Sequence, residues 1–348
     1  MSTHRVLLTG ANGFVGSHIL SQLLSAKHSV RAVVRSQSKV DAVRADFPSF
    51  SNLDFAIVPD MTTSGAFDKA LESTPPFDTV IHTASPFLYR AISSNHEFLD
   101  PAIMGTTEIL KGVQSVASGS VKRVIITSSF AAVGAFGQVP DANKVYTSAD
   151  WNPTTLDQAL TTEDLGIGYR ASKKFAEKAA WDFIETEKPN FDLVVLNPPM
   201  IYGPLRHSVP KIEDLNESTM RIWNLFLKPE NTPKTEMPPN GLHLYVDVRD
   251  IAKAHLLAMT TPSAGNTRFL VTAGTVTSQQ IADILRSELP ETLSRTPKGV
   301  PGSNGLPETA FTADASPAEK VLGMRWTPMK ETFAELGKQL LEIEKAQA

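Results

Sequence analysis

The first eighteen residues constrain the fold more than any other stretch of the chain. RVLLT (5–9) reads as a strand, and TGANGFVGSH (9–18) follows at once with glycines at 10, 13 and 16, leading into a helical stretch over 14–26. VRAVV (30–34), LDFAIV (53–58), TVIHT (79–83), RVIIT (123–127) and LVVLN (193–197) then repeat the strand signal. These are near-continuous apolar runs, as a parallel sheet covered on both faces requires. Helical patterns at roughly 37–47, 97–118 and 164–187 separate them. The succession predicts an α/β fold, a Rossmann-type doubly wound parallel sheet with its ligand at the carboxyl edge of the strands.

After Pro198-Pro199 the texture changes to polar, proline-rich loops around a helical piece at 218–227. A helix-like stretch at 249–259, a strand-like TRFLV (267–271), a loop at 297–308 and a closing helix at 330–345 complete the chain. The expected organisation is a Rossmann domain over 1–197 and a smaller C-terminal lobe over 198–348, mainly for substrate. Some segments, such as 242–262, are expected to return to the first domain.

The glycine loop lies between a strand and a helix, the context in which it holds a dinucleotide. Gly10 permits the sharp turn, Gly13 lets the backbone near Asn12 approach a pyrophosphate, and Gly16 lets the helix pack close to the strand. The amides of Phe14 and Val15, at the helix start, then face the phosphates, where the helix dipole favours negative charge.

Arg35 stands 19 residues after Gly16, where enzymes that select NAD usually carry an acidic residue for the ribose 2′-hydroxyl. No carboxylate occurs between Val30 and Val40. A guanidinium grips a 2′-phosphate with two hydrogen bonds, and Lys39 adds a point charge four residues on. NADP(H) is therefore favoured over NAD(H), the bland alternative being that both cations are solvated charges. Asp60, followed by Met61, either faces the adenine edge or caps the turn after its strand. Thr83, Ala84 and Ser85 either let the backbone pass a nicotinamide ribose or simply pack closely.

Composition removes several function classes. A net charge of −4 without a block of like charges argues against nucleic acid and against a polybasic membrane surface. No run of 18 apolar residues spans a membrane. With no cysteine there is neither disulfide nor thiolate, and the eight histidines show no ligand spacing, so no metal is expected. The start of the chain lacks a signal-peptide pattern, and the cytoplasm is the expected compartment.

The strand at 123–127 ends in Thr127, Ser128 and Ser129, and alternation sends the two serines to opposite sides. The helix at 164–187 carries Tyr169 and Lys173 four residues apart, one above the other on one face. The pair by itself is either a proton-transfer device or a solvated helix edge.

TGANGFVGSH, HTASPF, TSS, YRASK with KFAEKAAW, NPPMIYGP (197–204) and YVDVRDIAKAHL (245–256) occur together. With them the chain resembles the extended short-chain dehydrogenase/reductases over nearly its whole length. More narrowly, it resembles the dihydroflavonol-reductase-like branch that holds methylglyoxal (isovaleraldehyde) reductases and fungal ketoreductases. The resemblance implies that Tyr169 is the general acid, that Lys173 holds the nicotinamide ribose and acidifies the phenol, and that Ser129 hydrogen-bonds the substrate oxygen. It places Thr127 and Pro198 at the cofactor and lines the substrate pocket with Phe87, Phe130, Gly134, Met200 and Tyr202. Met104 departs from it, standing where many relatives have an Asn that supports a proton relay.

The implied function is NADPH-dependent reduction of small aldehydes and ketones, by a monomer or homodimer whose partner is its small-molecule carbonyl substrate. Two alternatives stand beside it. One is an epimerase or dehydratase of the same fold that retains NAD; the other is a non-catalytic NADP(H) sensor.

Overall fold

The computed structural model describes residues 3–85, 94–135 and 143–347. The first half runs β1 (Arg5–Thr9), α1 (Phe14–Ser25), β2 (Ser29–Val34), α2 (Gln37–Asp46), β3 (Leu53–Ile57), α3 (Asp68–Leu71), β4 (Thr79–His82), α4 (His96–Val116) and β5 (Arg123–Thr127). There follow β6 (Val145–Tyr146), α5 (Leu156–Thr161), α6 (Leu165–Glu187), β7 (Asp192–Asn197) and β8 (Met200–Tyr202). The remainder is α7 (Glu217–Ile222), β9 (Leu244–Asp247), α8 (Val248–Thr260), β10 (Thr267–Leu270) and β11 (Gly274–Thr275). The chain closes with α9 (Ser278–Glu288), β12 (Thr312–Ala313), α10 (Ser316–Leu322) and α11 (Met329–Gln347).

Seven strands form one parallel sheet in the order β10-β7-β5-β4-β1-β2-β3. The order reverses between β1 and β4, so their carboxyl ends splay around a crevice, the usual ligand position in a doubly wound sheet. Alternate residues go to opposite faces. Val6, Leu8, Val30, Ala32, Ile81, Ile125 and Val194 pack with α1, α2 and α8 on one side. Leu7, Val33, Val80, Val124, Ile126 and Val195 pack with α3, α4 and α6 on the other. Burying each such side chain contributes about 1.5–3 kcal/mol.

A second core lies between β8, β9, α7, α9 and α11, built on Tyr202, Trp223, Phe226, Tyr245, Leu285 and Phe333. The segment expected as one helix over 218–227 divides here: α7 stops at Ile222 and a π-helical turn continues over Trp223–Leu227. Two segments from beyond residue 197 lie with the large sheet. α8 packs on α1, and β10, within the stretch read as part of the smaller lobe, extends the sheet beside β7. Phe14, the first residue of α1, inserts its ring into the second core and so ties the glycine loop to that lobe.

Candidate active site

At the reversal point the turn after β1 is glycine for steric reasons. Gly10 has φ +70°, and a Cβ there would sit 2.7 Å from Thr83 Oγ1 and 2.9 Å from the Ala84 nitrogen. A Cβ at Gly16 would clash with the Gly10 carbonyl oxygen, so α1 can pack this close to the loop only as glycine. The Gly13 N–H donates to the Gly10 carbonyl at 3.0 Å and closes the turn. α1 begins at Gly13 with no side-chain cap and no acidic residue in its first turn. By contrast, Thr155, Asp164 and Thr277 cap α5, α6 and α9. The Phe14 and Val15 amides are thus left for an anion.

The cleft in front of this loop has a volume of about 590 Å³, within the range of cofactor sites. Gly10, Asn12 and Gly13 line it at the phosphate end, Arg35 at the end of β2, and Thr83 to Ser85 at the end of β4. Asp60 and Met61 lie along its side. Asp60 caps its turn, accepting from the Thr62 hydroxyl at 2.7 Å and the Thr62 N–H at 2.9 Å, and these bonds hold its carboxyl below the usual carboxylate range. Lys39 lies outside this cleft and lines an adjoining cavity that shares Asn12. The donors and shape fit a dinucleotide with a phosphate near Arg35.

His82 fixes the loop that carries Ser85. Thr9 Oγ1 accepts from the Thr83 and Ala84 N–H groups, each at 3.1 Å, so its own proton goes to His82 Nδ1 at 2.9 Å. Nε2 of His82 therefore carries the ring proton; it is buried and without a partner among the described residues. Burial first, then the Lys173 charge, push His82 down to about 4, so the ring is neutral.

β5 delivers the two serines to different tasks. Ser128 Oγ donates to Glu177 Oε2 at 2.5 Å. Ser129, half-buried, accepts the Ala131 N–H at 3.0 Å, which caps the turn Phe130–Ala132. That bond leaves the Ser129 hydroxyl proton to be donated elsewhere. The pairing of β5 and β7 continues beyond their ends: Phe130 N–H donates to the Pro198 carbonyl at 2.8 Å.

α6 packs against that same turn and brings Tyr169 and Lys173 to this edge. Asp164 caps the helix through the Gly166 N–H at 2.7 Å. Tyr169 is half-buried, its ring edge-on to Phe98 of α4 at 6.1 Å. Lys173 Nζ donates to Ser85 Oγ at 2.7 Å and lies 5.6 Å from the Tyr169 ring centre. Burial pushes the Lys173 ammonium down to about 8, which leaves it mostly charged at neutral pH. Ser85 therefore links Lys173 to the cleft, with Tyr169 one turn earlier on α6 and Ser129 at the turn against which that helix packs.

A buried polar platform supports this edge, and sequence reading passed over it. Glu177, one turn beyond Lys173, pairs with Arg268 of β10. Asn197 Nδ2 donates to Glu177 Oε2 at 2.6 Å and to the Ser129 carbonyl at 3.1 Å. Arg268 in turn donates to the Ser148 carbonyl at 2.9 Å and lies 3.8 Å over the Trp151 ring. The available signal was a glutamate on the inward side of KFAEKAAW, four residues after the lysine.

Several expected site residues are placed elsewhere. His255 Nδ1 donates to the Ile251 carbonyl at 2.7 Å, so Nε2 accepts the Thr127 hydroxyl at 2.7 Å; the hydroxyl is committed toward α8, while Thr127 still lines a small cavity with Ser85 and Lys173. Phe130 is buried, stacked on Phe311 and edge-on to Tyr146, and fills a core instead of walling a pocket. Tyr202 is buried against Phe333 because β8 pairs with β9 and alternation turns this ring into the second core. Gly134 is buried, and Met200 is half-buried at the rim of the second core. Phe87 lies outside the described residues. Met104 exposes 46% of its surface on α4, so its side chain takes no part at Lys173.

The model of the NAD dependent epimerase/dehydratase family matches residues 6–272. The ketoreductase azaE of Aspergillus niger is 37% identical over 345 residues, covering 97% of this chain and 98% of its own. The NADPH-dependent methylglyoxal reductase GRE2 of Saccharomyces cerevisiae is 34% identical over 344 residues, with 97% and 98% covered. Among solved structures, yeast methylglyoxal/isovaleraldehyde reductase Gre2 complexed with NADPH superposes with a TM-score of 0.90 at 32% identity, over 98% of this chain and 99% of that one.

Proposed function

This chain belongs to the NAD dependent epimerase/dehydratase family, the extended short-chain dehydrogenase/reductases, and from that membership we propose how its residues work. It is an NADPH-dependent carbonyl reductase that turns small aldehydes and ketones into alcohols. NADPH supplies the hydride; the protein supplies position, a proton and charge.

The Phe14 and Val15 amides and the Gly10–Gly13 turn hold the pyrophosphate, and Arg35 with Lys39 holds the 2′-phosphate. Lys173, already fixed on Ser85, holds the nicotinamide ribose, and its charge favours the Tyr169 phenolate. Ser129 donates its free proton to the carbonyl oxygen as negative charge develops there, a donor worth about 3 kcal/mol. Tyr169 then transfers its phenolic proton to that oxygen, which completes the alcohol and leaves phenolate beside Lys173. Such acid catalysis contributes about 10²–10⁴ in rate. In this reading residues 1–197, with α8 and β10, hold the cofactor, and the rest of the chain shapes the substrate pocket.

The observation that carries the reading is Lys173 bonded to Ser85, which lines the same cleft as Arg35, with Tyr169 one turn before Lys173 and Ser129 at the turn against which α6 packs. Arg35 favours an exchangeable NADP(H) over a retained NAD, and intact Ser129, Tyr169 and Lys173 favour turnover over sensing. The absence of cysteine suits a reducing compartment, and we read the enzyme as cytoplasmic, a monomer or homodimer. Among the described residues no helix is long and apolar enough to cross a membrane. The test is NADPH oxidation over aldehydes, α-keto esters, diketones and aryl ketones, with chiral analysis of the alcohols. A purified protein carrying stoichiometric NAD and oxidising no NADPH overturns the reading.

A further inference from the structure

The cavity that takes Lys39 out of the main cleft also receives a side chain from the second lobe. Its volume is about 70 Å³, and Asn12, Ser17, Lys39, Asp46, His207 and Ser208 supply its polar lining. Asn12 lines both spaces, so the cavity adjoins the cofactor cleft at the glycine loop. The loop bearing His207 is tied down on both sides of it. The Pro204 carbonyl accepts from His18 Nε2 at 2.8 Å, and Arg206 lies 4.4 Å over the Phe47 ring. Ser208 N–H donates to Asp46 Oδ2 at 3.1 Å, and its hydroxyl bonds the same carboxylate.

The polar groups inside are unevenly satisfied. Asp46 is occupied by Ser208, whereas Lys39 has no ion-pair partner among the described residues. Among the described residues the hydrogen bond of His207 is to Ser17, with Nδ1 3.5 Å from Oγ, a distance at the limit of a hydrogen bond. The Ser17 proton itself goes to the Phe14 carbonyl at 3.0 Å. An unpaired ammonium and an imidazole without a short bond thus face one small space beside a dinucleotide cleft.

We propose that His207 is a ligand of the cofactor's adenosine 2′-phosphate, presented by the second lobe to the site that Arg35 and Lys39 form on the first. The inference rests on the NADP(H) reading of the cleft. In the free protein burial, then the charge of Lys39, hold His207 below its usual range, and Asp46 opposes them. His18 on α1 and Arg206 on the same loop are the other titratable or charged groups around the ring. A phosphate dianion placed against Lys39 offsets that charge and accepts an imidazolium N–H, so His207 takes up a proton as the phosphate binds. Selectivity for phosphate over hydroxyl then increases on acidification, and the phosphate draws the two lobes together.

The experiment is calorimetric titration of the full-length protein with adenosine 2′,5′-bisphosphate and with adenosine 5′-monophosphate, from pH 6 to 8, in two buffers of different ionisation enthalpy. Wild type prefers the bisphosphate and takes up protons on binding it. His207→Gln and His207→Phe each weaken the bisphosphate about tenfold near pH 6.5, leave the monophosphate unchanged and remove most of the proton uptake. The phosphate, whose second pKa near 6 is lowered beside Arg35 and Lys39, releases protons on binding in wild type and variants alike, so the uptake of His207 is read as the difference between wild type and variant. Unchanged bisphosphate affinity and uptake in both variants overturn the role of His207 while sparing Arg35 and Lys39. A wild type that does not prefer the bisphosphate overturns the NADP(H) reading and this inference together.

Discussion

Glu177 accepts a 2.5 Å hydrogen bond from Ser128, so the helix that carries Tyr169 and Lys173 is pinned to the residue next to Ser129. Asn197 doubles the link by bonding both Glu177 and the Ser129 carbonyl. In the proposed catalytic set, the spacing between Ser129 and the Tyr169–Lys173 pair is therefore held by a buried carboxylate.

Removing that carboxylate leaves the buried Arg268 guanidinium uncompensated. Glu177→Ala is expected to destabilise the fold by about 3–5 kcal/mol, and Glu177→Met with Arg268→Met recovers much of the loss. Urea denaturation measures both. A single-mutant loss below about 1 kcal/mol means that the pair does not hold this edge.

Tyr169→Phe removes one hydroxyl from a half-buried ring that keeps its edge contact with Phe98. Turnover is expected to fall about 10²–10⁴-fold, while NADPH affinity, measured by fluorescence titration, stays within about twofold. Retained turnover removes Tyr169 from the general-acid role.

The sheet was legible because its strands are apolar runs whose period and spacing need no tertiary information. The β1, β5 and β7 segments match their expected bounds to within a residue. Gly10, Gly13 and Gly16 were legible because only glycine permits that approach of loop, strand and helix. Phe130 and Tyr202 were misplaced because their directions depend on pairing partners distant in the chain, Phe311 and β9. The return of β10 to the sheet was hidden for a like reason: Thr267 meets Val194 across a long connection. Glu177 was hidden because one acidic residue on an amphipathic helix looks solvated until Arg268, 91 residues later, is placed against it.

Arg35 lines the cleft in front of the glycine loop, and no carboxylate stands between Val30 and Val40. Arg35→Glu places a negative charge against the 2′-phosphate, so the KM for NADPH is expected to rise by at least about tenfold, a loss of about 1.4 kcal/mol. The KM for NADH, which lacks that phosphate, changes little. Steady-state kinetics with both cofactors decide it, and equal effects refute the contact.

Acid sensitivity follows from three buried histidines. Burial is the largest cause in pushing His18, His82 and His255 down to about 4 from an ordinary 6.5. Between these values the unfolded chain binds more protons than the folded one, so stability increases with pH through this window and is lost as pH falls from 6.5 toward 4. Full loss is about 3 kcal/mol for each ring at 1.36 kcal/mol per pKa unit. His255 is the cleanest probe, since its neutral form donates to the Ile251 carbonyl and accepts from Thr127. A glutamine there keeps one donor and one acceptor without a titrating ring. His255→Gln is therefore expected to flatten the dependence of Tm on pH between 4 and 6.5 while leaving Tm at pH 8 comparatively unchanged. An identical slope in wild type and variant shows that this ring does not titrate on unfolding in that window.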